Sequence, residues 1–141
     1  MKIILMIIII MENEFVVPYE TAKLLKDKGY DEKISFAYNK DKELIRRVGS
    51  LDMNNTDWNK LHDIERIYSG YMYLPRISAP TYHETLYWLE KKGIMIGTEY
   101  DFNTKSWKAS IVTKTNCMSL ENMPYREYAL NEAIVYVLEL M

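Results

Sequence analysis

Residues 81–113, TYHETLYWLEKKGIMIGTEYDFNTKSWKASIVT, decide the fold class of this chain. Thr81-Tyr82-His83-Glu84 spells a capping box: the Thr81 hydroxyl accepts the Glu84 amide proton while the Glu84 side chain reaches back. Tyr82, Leu86 and Leu89 follow at helical spacing as an apolar stripe, and Gly93 supplies a left-handed stop. Past that glycine the period changes to two. Ile94, Ile96, Thr98 and Tyr100 alternate, as do Trp107, Ala109, Ile111 and Thr113, with the polar segment around Asn103-Thr104-Lys105 between them. A helix feeding a hairpin predicts antiparallel pairing, because no crossover connection separates the two strands.

The same order occurs earlier in the chain. Pro18 opens a predicted helix over 18–28, Ala22, Leu24 and Leu25 give it an apolar face, and Gly29 ends it. Ile34, Phe36 and Tyr38 then alternate with Ser35 and Ala37. The tip Asn39-Lys40-Asp41-Lys42 leads into Leu44-Ile45-Arg46-Arg47-Val48, a second hairpin whose Arg46 and Arg47 point to opposite faces. Residues 49–56 are turn-rich. Asp57 as N-cap, with Trp58, Leu61, Ile64 and Tyr68 at three- and four-residue spacing, predicts a short amphipathic helix. A strand over Gly70–Leu74 is closed by Pro75, and Arg76-Ile77-Ser78-Ala79-Pro80 reads as a loop. A last helix from about Pro124 carries Leu130, Ala133, Ile134, Val137, Leu138 and Met141 on one face. The expected class is α+β: a two-layer single domain, its mainly antiparallel sheet built from hairpins and covered by about three helices.

Composition bounds the function. A chain of 141 residues is enough for one domain with its own core. Lys and Arg total 18 against 20 Asp and Glu, a net charge of −2 without a basic stripe, which argues against a double-stranded nucleic-acid surface. One cysteine, Cys117, excludes an internal disulfide and fits a reducing cytoplasm.

The segment Ile3–Met11 is an unbroken apolar run behind Lys2. Nine residues rise only about 13.5 Å as a helix, short of the ~30 Å bilayer core, so no membrane span is expected. No small-x-small cleavage site follows, and Glu12-Asn13-Glu14 is acidic, which argues against secretion. The run reads either as a buried strand or as a start-site artefact, with translation beginning at Met11 or Met6; the artefact is favoured. The expected organisation is therefore a doubtful apolar leader, 1–11, and one domain, 12–141.

Motifs for chemistry are sparse. His62, His83 and Cys117 lack the paired spacing of a metal site, so no metal and no cofactor are expected. Cys117 lies in the polar stretch Thr115-Asn116-Cys117-Met118-Ser119 with no nucleophile motif around it, no glycine-rich phosphate loop exists, and the close carboxylate pairs Glu12/Glu14 and Glu99/Asp101 suit solvated faces. No catalytic residues are assigned. Asn54-Asn55-Thr56 matches a glycosylation acceptor only by composition.

The aromatic load is the informative feature: 12 Tyr, 3 Trp and 3 Phe. Tyr68, Tyr71, Tyr73, Tyr82, Tyr87 and Trp88 crowd into residues 68–88, with Arg66 just before them and Arg76 and His83 among them. They cannot all face one core; on the helix between Thr81 and Gly93, Tyr87 turns away from the stripe that holds Tyr82. Tyrosine joins a large apolar body to a polar tip and suits ligand walls and interfaces, though a Tyr-rich core rim is the plainer reading. Aromatic faces beside arginine could also stack a nucleobase. Tyr71, Tyr73, Arg76, Tyr82, His83, Tyr87 and Trp88 are the candidate ligand-binding residues.

Three blocks carry a resemblance. Glu14-Phe15-Val16-Val17-Pro18-Tyr19-Glu20 through Lys28-Gly29-Tyr30-Asp31-Glu32 is one, Ala79–Glu84 with Trp88–Ile94 is the second, and Tyr125–Ile134 is the third. Together they cover about half of residues 12–141, and they resemble small uncharacterised proteins of gut Bacteroidetes and their phages. Residues 49–74 depart from that pattern. Members open near the equivalent of Met11, which supports the late start. The resemblance implies a phage or mobile-element setting in a bacterial cytoplasm and brings no reaction or site residues with it.

The functional expectation is a non-enzymatic, phage- or prophage-encoded cytoplasmic protein that captures a small ligand, a nucleotide signal among them, or a host protein. A structural or interaction module acting as a homodimer is the alternative, and a small hydrolase or nuclease ranks below both. Intact-mass measurement on protein from its native host is expected to give a species beginning at Met11 or Met6; a mass that includes Met1 overturns the late start.

Overall fold

The computed structural model describes residues 16–46, 59, 62–67 and 70–141, with the backbone alone at 46, 62–67 and 70–75. Three helices and eight strands are present among the described residues: α1 (Tyr19–Asp27), β1 (Phe36–Tyr38), β2 (Leu44–Arg46), β3 (His62–Ile67), β4 (Gly70–Pro75), β5 (Ile77–Ser78), α2 (Tyr82–Lys91), β6 (Met95–Asp101), β7 (Ser106–Val112), β8 (Cys117–Met123) and α3 (Arg126–Leu140). The class is α+β, and every strand pair is antiparallel. The strands fall into three sheets, ordered β2-β1-β5, β3-β4 and β6-β7-β8. The chain divides into two compact units, residues 1–81 and 82–141.

In the first unit α1 starts behind Pro18, whose missing N–H costs nothing at a helix start. It ends in a paired stop: Tyr30 N–H donates to the Leu25 carbonyl at 2.9 Å and Gly29 N–H to that of Lys26 at 3.1 Å, with Gly29 at φ +89°. The first hairpin pairs Tyr38 with Leu44 and Phe36 with Arg46, as the alternation predicts. Its tip is held by Asn39, whose Oδ1 accepts the amides of Asp41 and Glu43 at 2.9 and 3.0 Å. Tyr38 stands edge-on to Tyr19, 5.5 Å between ring centroids, and donates its hydroxyl to the Val17 carbonyl at 2.7 Å. Burial raises the Tyr38 hydroxyl above the usual tyrosine range.

Two expectations in this unit are corrected. The short helix over 57–68 is a strand at 62–67, where His62–Ile67 pairs residue by residue with Gly70–Pro75 across a two-residue connection. A helix of about twelve residues is marginal alone, while a hairpin partner directly adjacent in sequence satisfies the backbone at once. The loop over 76–80 contains β5, whose Ile77 and Ser78 pair with Tyr38 and Ala37. Pro75 and Pro80 bracket it, so the pairing stays short. The leader 1–11, Arg47, Asn54-Asn55-Thr56, Trp58, Leu61 and Tyr68 lie outside the described residues.

The second unit follows the sequence closely. The stop of α2 repeats that of α1: Ile94 N–H donates to the Leu89 carbonyl at 3.0 Å and Gly93 N–H to that of Glu90 at 2.9 Å, with Gly93 at φ +82°. The buried residues of α2 are Thr85, Trp88 and Leu89, while Tyr82 and Leu86 are half-buried, so the core stripe is shifted from the one expected. Residues 95–101 and 106–112 pair in register, Ile96 with Ile111 and Tyr100 with Trp107.

A third strand, β8, was not expected. Met118 pairs with Ile111, Leu120 with Ala109 and Met123 with Trp107. The register shifts between Leu120 and Met123, where β8 holds one extra residue and Asn122 takes φ +61°. That bulge returns Met123, rather than Asn122, to the face of Met118 and Leu120.

α3 lies across β6, β7 and β8. Ala129, Ala133, Leu130, Ile134, Val137 and Leu138 are its buried residues, and Ala109 and Ile111 are buried on β7. The fully buried alanines on helix and sheet leave no bulk between the two layers. Ala133→Leu is expected to lower stability by about 1–3 kcal/mol, through forced repacking, in urea denaturation followed by circular dichroism.

Candidate functional site

The seven residues singled out by sequence fall in both units. Tyr71 and Tyr73 sit on β4, opposite Arg66 and Ile64 in the β3–β4 ladder. Arg76, half-buried, lies between β4 and β5, and its carbonyl accepts a hydrogen bond from Lys26 Nζ at 3.2 Å. The other four share α2. Tyr82 is half-buried and His83 exposed.

Tyr87 is 57% exposed, as its turn away from the stripe requires, with Lys91 Nζ 4.9 Å from its ring centroid. Trp88 is only 3% exposed, with Lys92 Nζ 4.5 Å from its ring centroid. It is a core residue, so its reading as an open ligand wall is corrected. The one-residue step from Tyr87 to Trp88 is a 100° turn about the axis of α2, and it carries the indole inward. Removing it would open a cavity costing about 3–5 kcal/mol, so it cannot report on binding alone.

Two other features of residues 82–141 have site character. The first is a cleft of about 490 Å³ between the last turns of α3 and the end of the sheet. Ile94, Ile111 and Met118 line its sheet side, Val137, Leu140 and Met141 its helix side, and Thr113, Asn116, Cys117 and Tyr136 are the polar groups at it. Pockets that take small molecules have this make-up, an apolar wall with few polar groups, and this size. Thr113 and Asn116 hold the turn at its rim: Thr113 N–H donates to the Asn116 carbonyl at 2.8 Å, and Asn116 N–H donates to Thr113 Oγ1 at 3.1 Å. Cys117 is an exposed free thiol at the start of β8. Sequence reasoning placed it in a polar stretch and missed the cleft, although the alternation of Met118 and Leu120 beyond it was the available signal for a strand.

The second feature is a ring cluster at the β6–β7 turn. Tyr100 stands edge-on to Phe102 at 5.0 Å and to Trp107 at 5.4 Å between ring centroids. Phe102 is 85% exposed, Tyr100 is 38% exposed and Trp107 is half-buried. The turn that carries Phe102 is tied down. Asp101 Oδ1 accepts the Asn103 amide at 2.8 Å and the Thr104 amide at 3.4 Å, Thr104 and Ser106 share a hydroxyl hydrogen bond at 2.7 Å, and Lys105 takes φ +53°. The Asn103 amide, followed by that of Thr104, holds the Asp101 carboxyl below the usual aspartate range. On the neighbouring pair of the ladder Lys108 Nζ meets Glu99 Oε1 at 2.6 Å, and this hydrogen bond holds the Lys108 ammonium above its usual range.

Among the described residues no group of three His, Cys, Asp or Glu could hold a metal ion, and no helix is long and apolar enough to cross a membrane. Comparison of the chain with protein-family models, with curated proteins and with solved structures finds no match.

The lowered Asp101 carboxyl carries a sign for pH. Its charged form is favoured by the fold, so the support it gives the turn is complete above the ordinary aspartate range and is lost as pH falls through the lowered value. Carboxyl titration by NMR is expected to place Asp101 below an unstructured aspartate. Loss of the downfield Asn103 amide shift should follow the same midpoint.

Proposed function

We infer that this chain is a non-enzymatic binding protein, encoded by a phage or prophage and acting in a bacterial cytoplasm, that captures a small molecule. The observation that carries the reading is the ≈490 Å³ cleft at the end of α3. Its walls come from two rigid elements, a packed helix and a three-stranded sheet, which suits a preformed pocket rather than a surface that closes around its ligand. The phage setting is supported by the resemblance of residues 14–32, 79–94 and 125–134 described above.

The ligand that suits this cleft has an apolar body and a single polar end. The body would lie against Ile111, Met118 and Val137, and the polar end would reach the Thr113–Cys117 rim. Capture without turnover needs only this complementarity, and a phage protein of this kind would act on its host by withdrawing the ligand from solution.

The chain has a single cysteine, and it lies at the cleft, so its thiol reports occupancy. Native mass spectrometry of protein purified from infected host cells is expected to show a one-to-one small-molecule adduct. In that adduct Cys117 should react slowly with a disulfide reagent and speed up once the adduct is stripped. Leu140→Glu, at a position 71% exposed and therefore tolerated by the fold, should abolish the adduct and leave a fast thiol. Purified protein carrying no adduct, or an adduct whose removal leaves the Cys117 rate unchanged, overturns the reading.

A further inference from the structure

The sheet face covered by α3 continues beyond the start of the helix. Arg126, the first residue of α3, donates from Nε to Thr98 Oγ1 at 3.3 Å, which marks where the helix reaches β6. Tyr100 follows Thr98 on that same face, about 6.6 Å further along the strand. It pairs with Trp107, and Trp107 with Met123, so one row of large side chains crosses all three strands just past the helix end. Phe102 adds a fourth at the turn.

Charge is segregated between the two faces. Glu99, Asp101 and Lys108 alternate with the rings and so belong to the opposite face, where Glu99 and Lys108 pair with each other. On the ring face β6 and β7 contribute no carboxylate at this end, and exposed Arg126 reaches Thr98, the residue before Tyr100 on that face. The turn is also fixed. The Asp101 carboxylate and the Thr104–Ser106 contact hold the backbone around Phe102, so a ring that is 85% exposed is presented outward rather than merely left there.

We propose that this end of the sheet is a stacking site for a nucleobase, with Arg126 receiving the attached phosphate. Every base has a π-face, and Phe102, held edge-on to Tyr100 yet 85% exposed, keeps a ring face open to one. A single guanidinium suits one phosphate and not a continuous backbone, in keeping with a net charge of −2 and no basic stripe. The ligand is therefore a free nucleotide or the exposed base of a single strand. The site lies at the opposite end of α3 from the cleft, about 22 Å away along a helix of 15 residues, and does not depend on it.

The test is amide NMR of the full chain titrated with adenosine, AMP and a six-nucleotide oligo-A RNA. AMP is expected to shift the amides of residues 98–108 and Arg126, and adenosine to do so with lower affinity. Phe102→Ala should weaken AMP by about 5- to 150-fold with the spectrum otherwise intact, because stacking on one ring is worth about 1–3 kcal/mol. Arg126→Gln should bring AMP to the affinity of adenosine. RNA binding tighter than AMP, with the shallow salt dependence of a single phosphate contact, names an exposed base of a single strand as the source, and equal binding names the free nucleotide; both support the site, whereas a steep salt dependence overturns it. Absence of shifts in 98–108 at millimolar AMP and RNA, or wild-type affinity in Phe102→Ala, overturns it. So does AMP that protects Cys117 without shifting 98–108, a result that leaves the cleft reading standing.

Discussion

The close approach of α3 to its sheet is the constraint on which residues 82–141 depend. Ala129 and Ala133 are one turn apart on the helix, and with Ala109 on β7 they are fully buried. Small side chains at a helix–sheet contact bring the backbones together, and the larger Leu130, Ile134, Val137 and Leu138 then fill the space around them. Once the helix is seated, the fate of every residue on β6, β7 and β8 follows from its parity. Those on the covered face are core in the middle and become site candidates at the ends, where the helix stops covering them. The cleft and the ring row are the two ends of that single face.

The first unit adds specific polar contacts to a buried apolar core that includes Val17, Ala22, Leu25, Ile34 and Ala37. Asn59 donates from Nδ2 to the Tyr30 carbonyl at 2.8 Å, accepts the Ser78 amide at Oδ1 at 2.8 Å, and donates its own amide to Ser78 Oγ at 3.1 Å. One side chain thus joins the segment after α1 to β5, and a buried Ser78 finds its partners there. Tyr38 plays a comparable part, with its ring against Tyr19 and its hydroxyl on Val17. Hydrogen bonds of this sort contribute little net stability when made, but leaving their buried groups unmet is costly, so they specify one arrangement over its neighbours.

The candidate sites show why composition misled in detail while guiding in kind. Counting aromatics pointed to residues 68–88, because that is where tyrosines crowd. Crowding in sequence is not crowding on a surface. Trp88 went inward with its helix, whereas Tyr100, Phe102 and Trp107, fewer and spread over eight residues, met because a hairpin folds positions 100 and 107 opposite each other. Cys117 is the converse case: unremarkable in a polar stretch, it lies at a cleft because β8 pairs with β7 and α3 ends above it.

The local elements were legible because each carries its own physical signal. Gly29 and Gly93 take the left-handed conformation that ends α1 and α2, and the alternations over 94–100 and 107–113 are the two strands that pair. Helix stops and period-two patterns are decided within a few residues, and so the sequence by itself determined the α+β class and the antiparallel pairing. Residues 62–67 were not legible, since a short segment of mixed pattern takes whichever form its neighbour can pair with, and only β4 settled that. Tertiary structure alone decided which face of each element is covered and where that cover ends. Those are properties of contacts between residues far apart in the chain, such as Arg126 with Thr98, and no local pattern encodes them.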